Sequence, residues 1–265
     1  MTNGSRAEAI VQDVVRSRPC GLLTDIDGTV SRIAEHPSNA TVEPHARTLL
    51  ERLAGKLDLV AAITGRSAED ARAIVGTDEI VYAGNHGMEI RRGEVTVYSD
   101  SAREHAPKIR WLLDFLRSSL QINGVYIEDK GLTASIHVRE TEDPSEAERT
   151  VLGMISEHVE RLDLVVTRGR MVVEIRPPVD LSKGTAVLQL IGEYELRGAV
   201  YIGDDITDVD AFHALQQRRA RQGDHLYAIG VVDDGTPAEV IEAADGTVEG
   251  VDGVITLLDF VDRIT

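Results

Sequence analysis

A single cysteine, Cys20, rules out an internal disulfide framework, permits a reducing compartment, and is read as a small buried hydrophobe. No apolar run approaches the roughly 20 residues that a membrane span requires, and Met1 to Arg18 carries no secretory apolar core. A soluble, cytoplasmic protein is expected. Positive charge is scarce: 45 acidic residues against 28 Lys plus Arg give a formal charge of -17, which disfavours nucleic acid and anionic membranes as partners. An anionic small molecule would be repelled at long range too, so a site for one must carry its own positive charge through a metal, Lys or Arg. Apolar residues are plentiful, at 42% of 265, enough to pack one large domain or two. Nothing in the sequence calls for more than a monomer.

The chain is organised around Leu22 to Val30, where an apolar run stops at Asp25, skips one residue to Asp27 and turns on Gly28. An apolar run entering a turn is how a buried parallel strand ends, which puts both acids at the carboxyl edge of a sheet, where open α/β folds bind ligands. Residues two apart in a strand face the same side, and a turn lets the two carboxylates converge. Like charges that close need a cation or a shared proton. With Mg2+ between them and a phosphate, one carboxylate can attack phosphorus while the other handles the leaving group's proton. A bare Asp-x-Asp-Gly more often caps a turn, so partners elsewhere must decide.

Three partners follow in order. Val60 to Ile63 is a second buried strand ending at Thr64-Gly65-Arg66, where a hydroxyl can hold a phosphoryl oxygen. Lys183 follows Ser182 at a helix start, and Val200 to Ile202 ends in Gly203-Asp204-Asp205-Ile206-Thr207-Asp208, a third strand delivering acids. Singly, Thr64 is a routine turn residue and Lys183 a routine surface lysine; the combination is not routine.

With these residues assembled, the sequence resembles the haloacid dehalogenase-like phosphotransferases, whose motifs read Asp-x-Asp-Gly-Thr, a strand-ending Thr or Ser, a Lys, and Gly-Asp-Asp-x-x-x-Asp. Asp25 to Val30, Ile63 to Arg66, Ala83 to Gly87, Glu174 to Pro177 and Gly203 to Asp208 resemble, more narrowly, the trehalose-6-phosphate phosphatases. The resemblance runs from about Leu22 to Phe212. Ile26 departs from many relatives, which carry an aromatic there, but that position should point into the core.

Along the chain, Glu8 to Arg16 carries a helical apolar stripe, Pro37 sits in a polar loop from Ser31 to Thr41, and Pro44 opens a helix. Ser67 with Asp70 reads as a capping box for a helix ending at Gly76. Met88 to Ile90 and Val95 to Tyr98 read as a hairpin. Strands and helices alternate to this point, implying a parallel sheet. After Ser101 the order becomes helix, two strands, helix, two strands, the signature of an antiparallel sheet covered by two helices, read as a lid. Pro177-Pro178 is its return linker and Ser99 to Ser101 its outgoing hinge. The expected α/β fold is a Rossmann-like doubly wound parallel sheet core (1–100 and 179–265) with an inserted α+β cap of order αββαββ (101–178). Arg218, Arg219 and Arg221 read as a solvated basic face.

The resemblance implies a Mg2+-dependent phosphatase acting on trehalose 6-phosphate, a small-molecule sugar phosphate. Asp25 is then the nucleophile, Asp27 the acid and later the base, Thr64 a hydrogen-bond donor to phosphate, and Lys183 its counter-charge. The metal falls to Asp25, the carbonyl of Asp27, Asp204, and Asp208 or Asp205. The same comparison places Gly65, Arg66, Glu128, Lys130, Arg139, Arg170 and Glu174 on substrate, although charges on an exposed strand are commonly just solvated. His86 either hydrogen-bonds substrate or orders the loop from Asn85 to Gly87. A phosphatase for another sugar phosphate, such as sucrose phosphate or mannosyl-phosphoglycerate, and a catalytically silent sugar-phosphate-binding module remain as alternatives.

Overall fold

Apolar side chains alternate between two sides along the central strands, so each strand buries both faces and needs helices above and below. The computed structural model describes residues 3–34, 36, 39–169 and 171–265; Pro37 and Arg170 lie outside them. The chain divides into two units, Met1–Val97 with Leu181–Thr265, and Tyr98–Asp180.

The first unit begins with α1 (Asn3–Arg16), β1 (Cys20–Thr24), α2 (Pro44–Ala54), β2 (Leu59–Ile63), α3 (Ala68–Val75), β3 (Val81–Gly84), β4 (Glu89–Arg92) and β5 (Val95–Tyr98). The second unit holds α4 (Asp100–Arg103), α5 (Ala106–Ser119), β6 (Tyr126–Asp129), β7 (Ala134–His137), α6 (Pro144–Leu162), β8 (Val165–Gly169) and β9 (Val172–Arg176). The first unit then resumes with α7 (Lys183–Glu193), β10 (Gly198–Gly203), α8 (Ile206–Gln222), β11 (His225–Val232), α9 (Ala238–Ala243), β12 (Gly246–Glu249) and α10 (Gly250–Ile264).

The eight-stranded sheet has the order β12-β11-β10-β1-β2-β3-β4-β5. β12 through β3 run parallel. Leu22, Val60, Ala62, Val200 and Ile202 pack into one cluster with α1, α2, α3 and α10, and Ile26 joins them as expected. Leu23, Ala61, Ile63, Ala199 and Tyr201 pack into the other with α7, α8 and α9. Full burial of such a side chain contributes about 1.5–3 kcal/mol. Cys20 is buried, as its composition-level reading expected. No helix among the described residues is long and apolar enough to cross a membrane.

The structure corrects the expectations in three places. β4 runs antiparallel to β3, because only the turn from Asn85 to Met88 separates them, too short for a parallel crossover. Two of the three arginines at the end of α8 are partnered rather than merely solvated: Arg218 pairs with Asp224, and Arg219 with Asp245 and the Leu226 carbonyl, while Arg221 is exposed as expected. Ser67 does cap α3, accepting from the Asp70 amide at 3.1 Å, but the Asp70 carboxylate turns to Arg66 instead of closing the box.

In the second unit the four strands lie in the order β6-β7-β9-β8, and every adjacent pair is antiparallel. Ile136, Val173 and Ile175 on one face pack against Ile109, Leu112 and Leu116 of α5 and Val151 and Ile155 of α6. Alternation puts Glu128, Ser135, Glu174 and Thr167 on the other face, in a row across all four strands.

A buried acid in the first unit ties β4 to the start of α3. Glu89 accepts the Ala68 amide and the Asn85 amide group, each through Oε1. Burial raises its carboxyl above the ordinary glutamate value, outweighing those hydrogen bonds. The folded state therefore holds a proton that the unfolded chain releases, so this group's contribution is full below about pH 4.3 and falls as pH rises. Glu89→Gln keeps an acceptor for both donors. Its stability in urea should rise relative to the wild type as pH goes from about 4 to 8, and a difference independent of pH would contradict this reading.

Candidate active site

The site forms where the chain reverses its direction of growth across the sheet. From β1 it proceeds to β2 and β3 on one side, and much later returns to β10 on the other. A crevice opens at such a point beyond the carboxyl ends of the strands, because the following connections diverge.

Asp25 is the first residue past β1. Its amide donates to the Ile202 carbonyl at 2.8 Å, and it is 4% exposed. The turn that follows needs glycine twice over: Gly28 has φ +83°, and a Cβ there would stand 2.1 Å from Asp204 Oδ2. Thr29 Oγ1 donates to Asp204 Oδ1 at 3.0 Å, so the first loop positions an acid of the third.

Lys183 opens α7, whose Ser182 cap accepts from the Thr185 amide. Its Nζ donates to Asp25 Oδ1 at 2.8 Å and to Asp208 Oδ1 at 2.6 Å, entirely buried. Asp208 Oδ1 also accepts from the Tyr201 hydroxyl at 2.6 Å, and Oδ2 accepts the amides of Asp204 and Asp205 at 3.1 and 3.0 Å. Four donors fill a carboxylate's capacity. The Asp205 side chain is exposed.

Charge is unbalanced here. Burial raises the Asp25 carboxyl well above its usual range, and the carboxylates of Asp208, Asp204 and Asp27 add to it against the single opposing Lys183. Burial and Asp208 push Asp204 up to about 7. Lys183 stays charged because its two acids outweigh its burial. Ligand oxygens of Asp25, Asp204 and Asp208 lie within 4.8 Å of one another. Hard oxygen donors with surplus negative charge suit a divalent cation, and with Asp208 filled by its four donors, Asp25 and Asp204 are the carboxylates left to meet one.

Thr64 follows β2, and its Oγ1 accepts the Arg66 amide at 3.2 Å. Arg66 is spent on acids: Nε and Nη2 donate to Asp27 at 2.6 and 2.8 Å, and Nη1 to Asp70 at 2.9 Å. These carboxylates overcome desolvation and hold the guanidinium firmly charged. Beside it, Asn85, His86 and Gly87 all take positive φ, a rare conformation for the two that carry a Cβ. The Asn85 amide donates to the Arg66 carbonyl at 2.6 Å, and the His86 amide to the Thr64 carbonyl at 2.9 Å. A Cβ on Gly65 would meet the His86 imidazole at 2.8 Å. The backbone amide of His86 thus closes its loop onto the end of β2.

In the second unit, Lys130 Nζ lies 3.9 Å from Glu128 and 3.8 Å from Glu174, so three residues from two strand pairs share one polar face. His137 Nε2 lies 2.9 Å from Glu128 Oε2, with the Tyr126 ring stacked on its imidazole. Arg139 is not on this strand pair: β7 ends at His137, and Arg139 sits in an exposed turn closed by bonds from Thr141 to the Val138 carbonyl.

Four contributors escaped the sequence reading. Tyr201 looked like one more apolar strand residue, and Asp70 like half of a helix cap. His137 carried no motif. Thr29 lay inside a motif already assigned to its aspartates.

The residue pattern of the trehalose-phosphatase family matches residues 23–239. The chain is 32% identical to the trehalose-phosphate phosphatase of Mycobacterium tuberculosis over 265 residues, covering 95% of this chain and 63% of that protein. It is 32% identical to trehalose-phosphate phosphatase B of Arabidopsis thaliana over 228 residues, covering 78% of this chain and 59% of that one. In fold it is similar to the C-terminal domain of the C. albicans trehalose-6-phosphate phosphatase, with a TM-score of 0.79, 18% identity and 98% of each chain covered. A haloacid dehalogenase-like hydrolase from Bacteroides thetaiotaomicron shares the fold with a TM-score of 0.63 and 15% identity, over 92% of this chain and 99% of that one. The motifs, the doubly wound sheet and these likenesses agree, and the chain belongs to the trehalose-phosphatase family.

Proposed function

We propose that the protein hydrolyses trehalose 6-phosphate to trehalose and inorganic phosphate, with Mg2+ and a phosphorylated Asp25 as intermediate. The observation that carries this reading is the bridge from Lys183 to Asp25 and Asp208, with Asp204 drawn alongside.

An Asp25 oxygen attacks phosphorus in line, forming an acyl phosphate as the bond to the sugar oxygen breaks. Asp27 gives that oxygen its proton. The resulting carboxylate then takes a proton from the water that attacks phosphorus, which releases phosphate and restores Asp25. Thr64 donates to a phosphoryl oxygen, and Lys183 opposes the charge gathered on phosphate and Asp25. Asp25, the Asp27 carbonyl and Asp204 would hold Mg2+. Asp208, with its oxygens filled by four donors, supports them through Lys183 and the amides of Asp204 and Asp205. Bound there, the ion neutralises charge between carboxylate and phosphate. Gly65 and His86 keep the Thr64 loop in shape.

Sugar hydroxyls fall to the polar face of the second unit. Glu128 and Glu174 accept from hydroxyls, Lys130 donates, and His137 orients Glu128. Arg139 and Arg170 are assigned to substrate by resemblance alone.

A panel of sugar phosphates assayed with Mg2+ should show trehalose 6-phosphate turned over best; equal rates across the panel would remove this substrate, and binding without phosphate release would favour a silent binding module. Asp25→Asn should reduce phosphate release to less than about one-thousandth with the fold retained by circular dichroism. Residual turnover near the wild-type rate would place the nucleophile elsewhere. Glu128→Ala should lower kcat/KM for trehalose 6-phosphate by about 10-fold or more, yet leave a small aryl phosphate within about 2-fold. Matching losses on both substrates would count against recognition by this face.

A further inference from the structure

We propose that Arg66, backed by Asp70, is the positioning residue of Asp27: the guanidinium sets the carboxylate's direction for proton transfer instead of gripping substrate. The inference rests on the assignment of Asp27 as acid and base.

Asp27 stands in a glycine turn with its side chain one-third exposed, an environment that does little to fix a carboxylate. The fixing comes from another strand's loop. Arg66 meets Asp27 with two parallel bonds, Nε to Oδ2 at 2.6 Å and Nη2 to Oδ1 at 2.8 Å, a fork that locks the carboxylate plane and leaves each oxygen a second lone pair. The fork is itself held. Arg66 is 9% exposed, and its backbone is pinned by the Asn85 amide at 2.6 Å and by Thr64 Oγ1 at 3.2 Å. Nη1 is anchored on Asp70, whose own amide is fixed by the Ser67 cap in the first turn of α3. Three of the five guanidinium N–H groups, and its whole orientation, are committed to these two acids, which makes direct substrate binding the weaker use of this side chain.

The consequence is chemical. In the first half-reaction Asp25 forms its bond to phosphorus, the bond to the leaving oxygen breaks with its electron pair on that oxygen, and Asp27 supplies the proton. A misaligned Asp27 delays departure only where the leaving group needs that proton. A sugar alkoxide does; p-nitrophenolate does not. kcat/KM covers steps only through leaving-group departure, so it isolates this half-reaction from hydrolysis of the intermediate.

The test is the slope of log kcat/KM against leaving-group pKa, measured on the Mg2+-loaded protein with p-nitrophenyl, phenyl and glucose 6-phosphate esters and with trehalose 6-phosphate. Asp27→Asn, Arg66→Lys and Asp70→Asn are compared with the wild type. Asp27→Asn should steepen the slope; if it does not, the acid assignment fails before the inference is reached. With that control in place, Arg66→Lys, which cannot form the fork, should lose about 100-fold on the sugar esters and less than about 3-fold on p-nitrophenyl phosphate. Asp70→Asn, at a half-buried position, should tilt the slope the same way by a smaller amount, with KM for trehalose 6-phosphate unchanged. Parallel losses across all esters would mean that Arg66 only stabilises the loop, and a raised KM at unchanged slope would mean that it grips substrate; either result overturns the proposal.

Discussion

One buried ammonium between two carboxylates holds the site together. Lys183 arrives on the first turn of α7, Asp25 on the end of β1 and Asp208 on the first turn of α8, and none of these elements is adjacent in sequence to another. Removing the ammonium would leave two buried carboxylates without a counter-charge, a loss of about 3–5 kcal/mol. The same contact that makes the site assemble therefore couples its geometry to the stability of the sheet around it. Asp208 carries much of this coupling, because it joins Lys183, Tyr201 and the two amides of the Asp204-Asp205 turn.

Negative charge is in excess around that contact, and the excess has a use. Asp25 and Asp204 are both driven toward protonation by burial and by neighbouring acids. An arrangement of this kind is uncomfortable alone and suited to a divalent cation, which would relieve the repulsion in a protein of formal charge -17. Strain has been placed nearby as well. The left-handed run from Asn85 to Gly87 is kept in position by the carbonyls of Thr64 and Arg66 and by the buried side chain of Glu89, so that backbone and side chain together buttress the second loop of the site.

Much of this was legible in the sequence because the decisive signals are local. Apolar runs ending at Asp25, Thr64 and Asp204 announce parallel strands reaching one edge, and Gly28 announces the turn that brings an acid close. The order of elements in the second unit was readable from a change of period. Long-range partnership was not legible. The partners of Arg66, Asp27 and Asp70, could not be read off, since sequence carries no record of which acid a guanidinium reaches. Tyr201 reads as packing because its hydroxyl finds Asp208 only once α8 has folded over β10. Arg139 lies beyond the end of β7, because the local pattern does not say where a strand of alternating residues stops. The reversal of β4 was missed for a simpler reason: the brevity of its connection to β3 was not weighed against what a parallel crossover needs.

The account depends on a covalent bond between Asp25 and phosphorus. The most direct measurement quenches the Mg2+-loaded protein in acid during turnover of trehalose 6-phosphate and maps the modified peptide by mass spectrometry. A hydroxylamine-labile phosphoryl group on Asp25 is the predicted result. A phosphoryl group on another side chain, or turnover with no phosphorylated protein at any quench time, would contradict it.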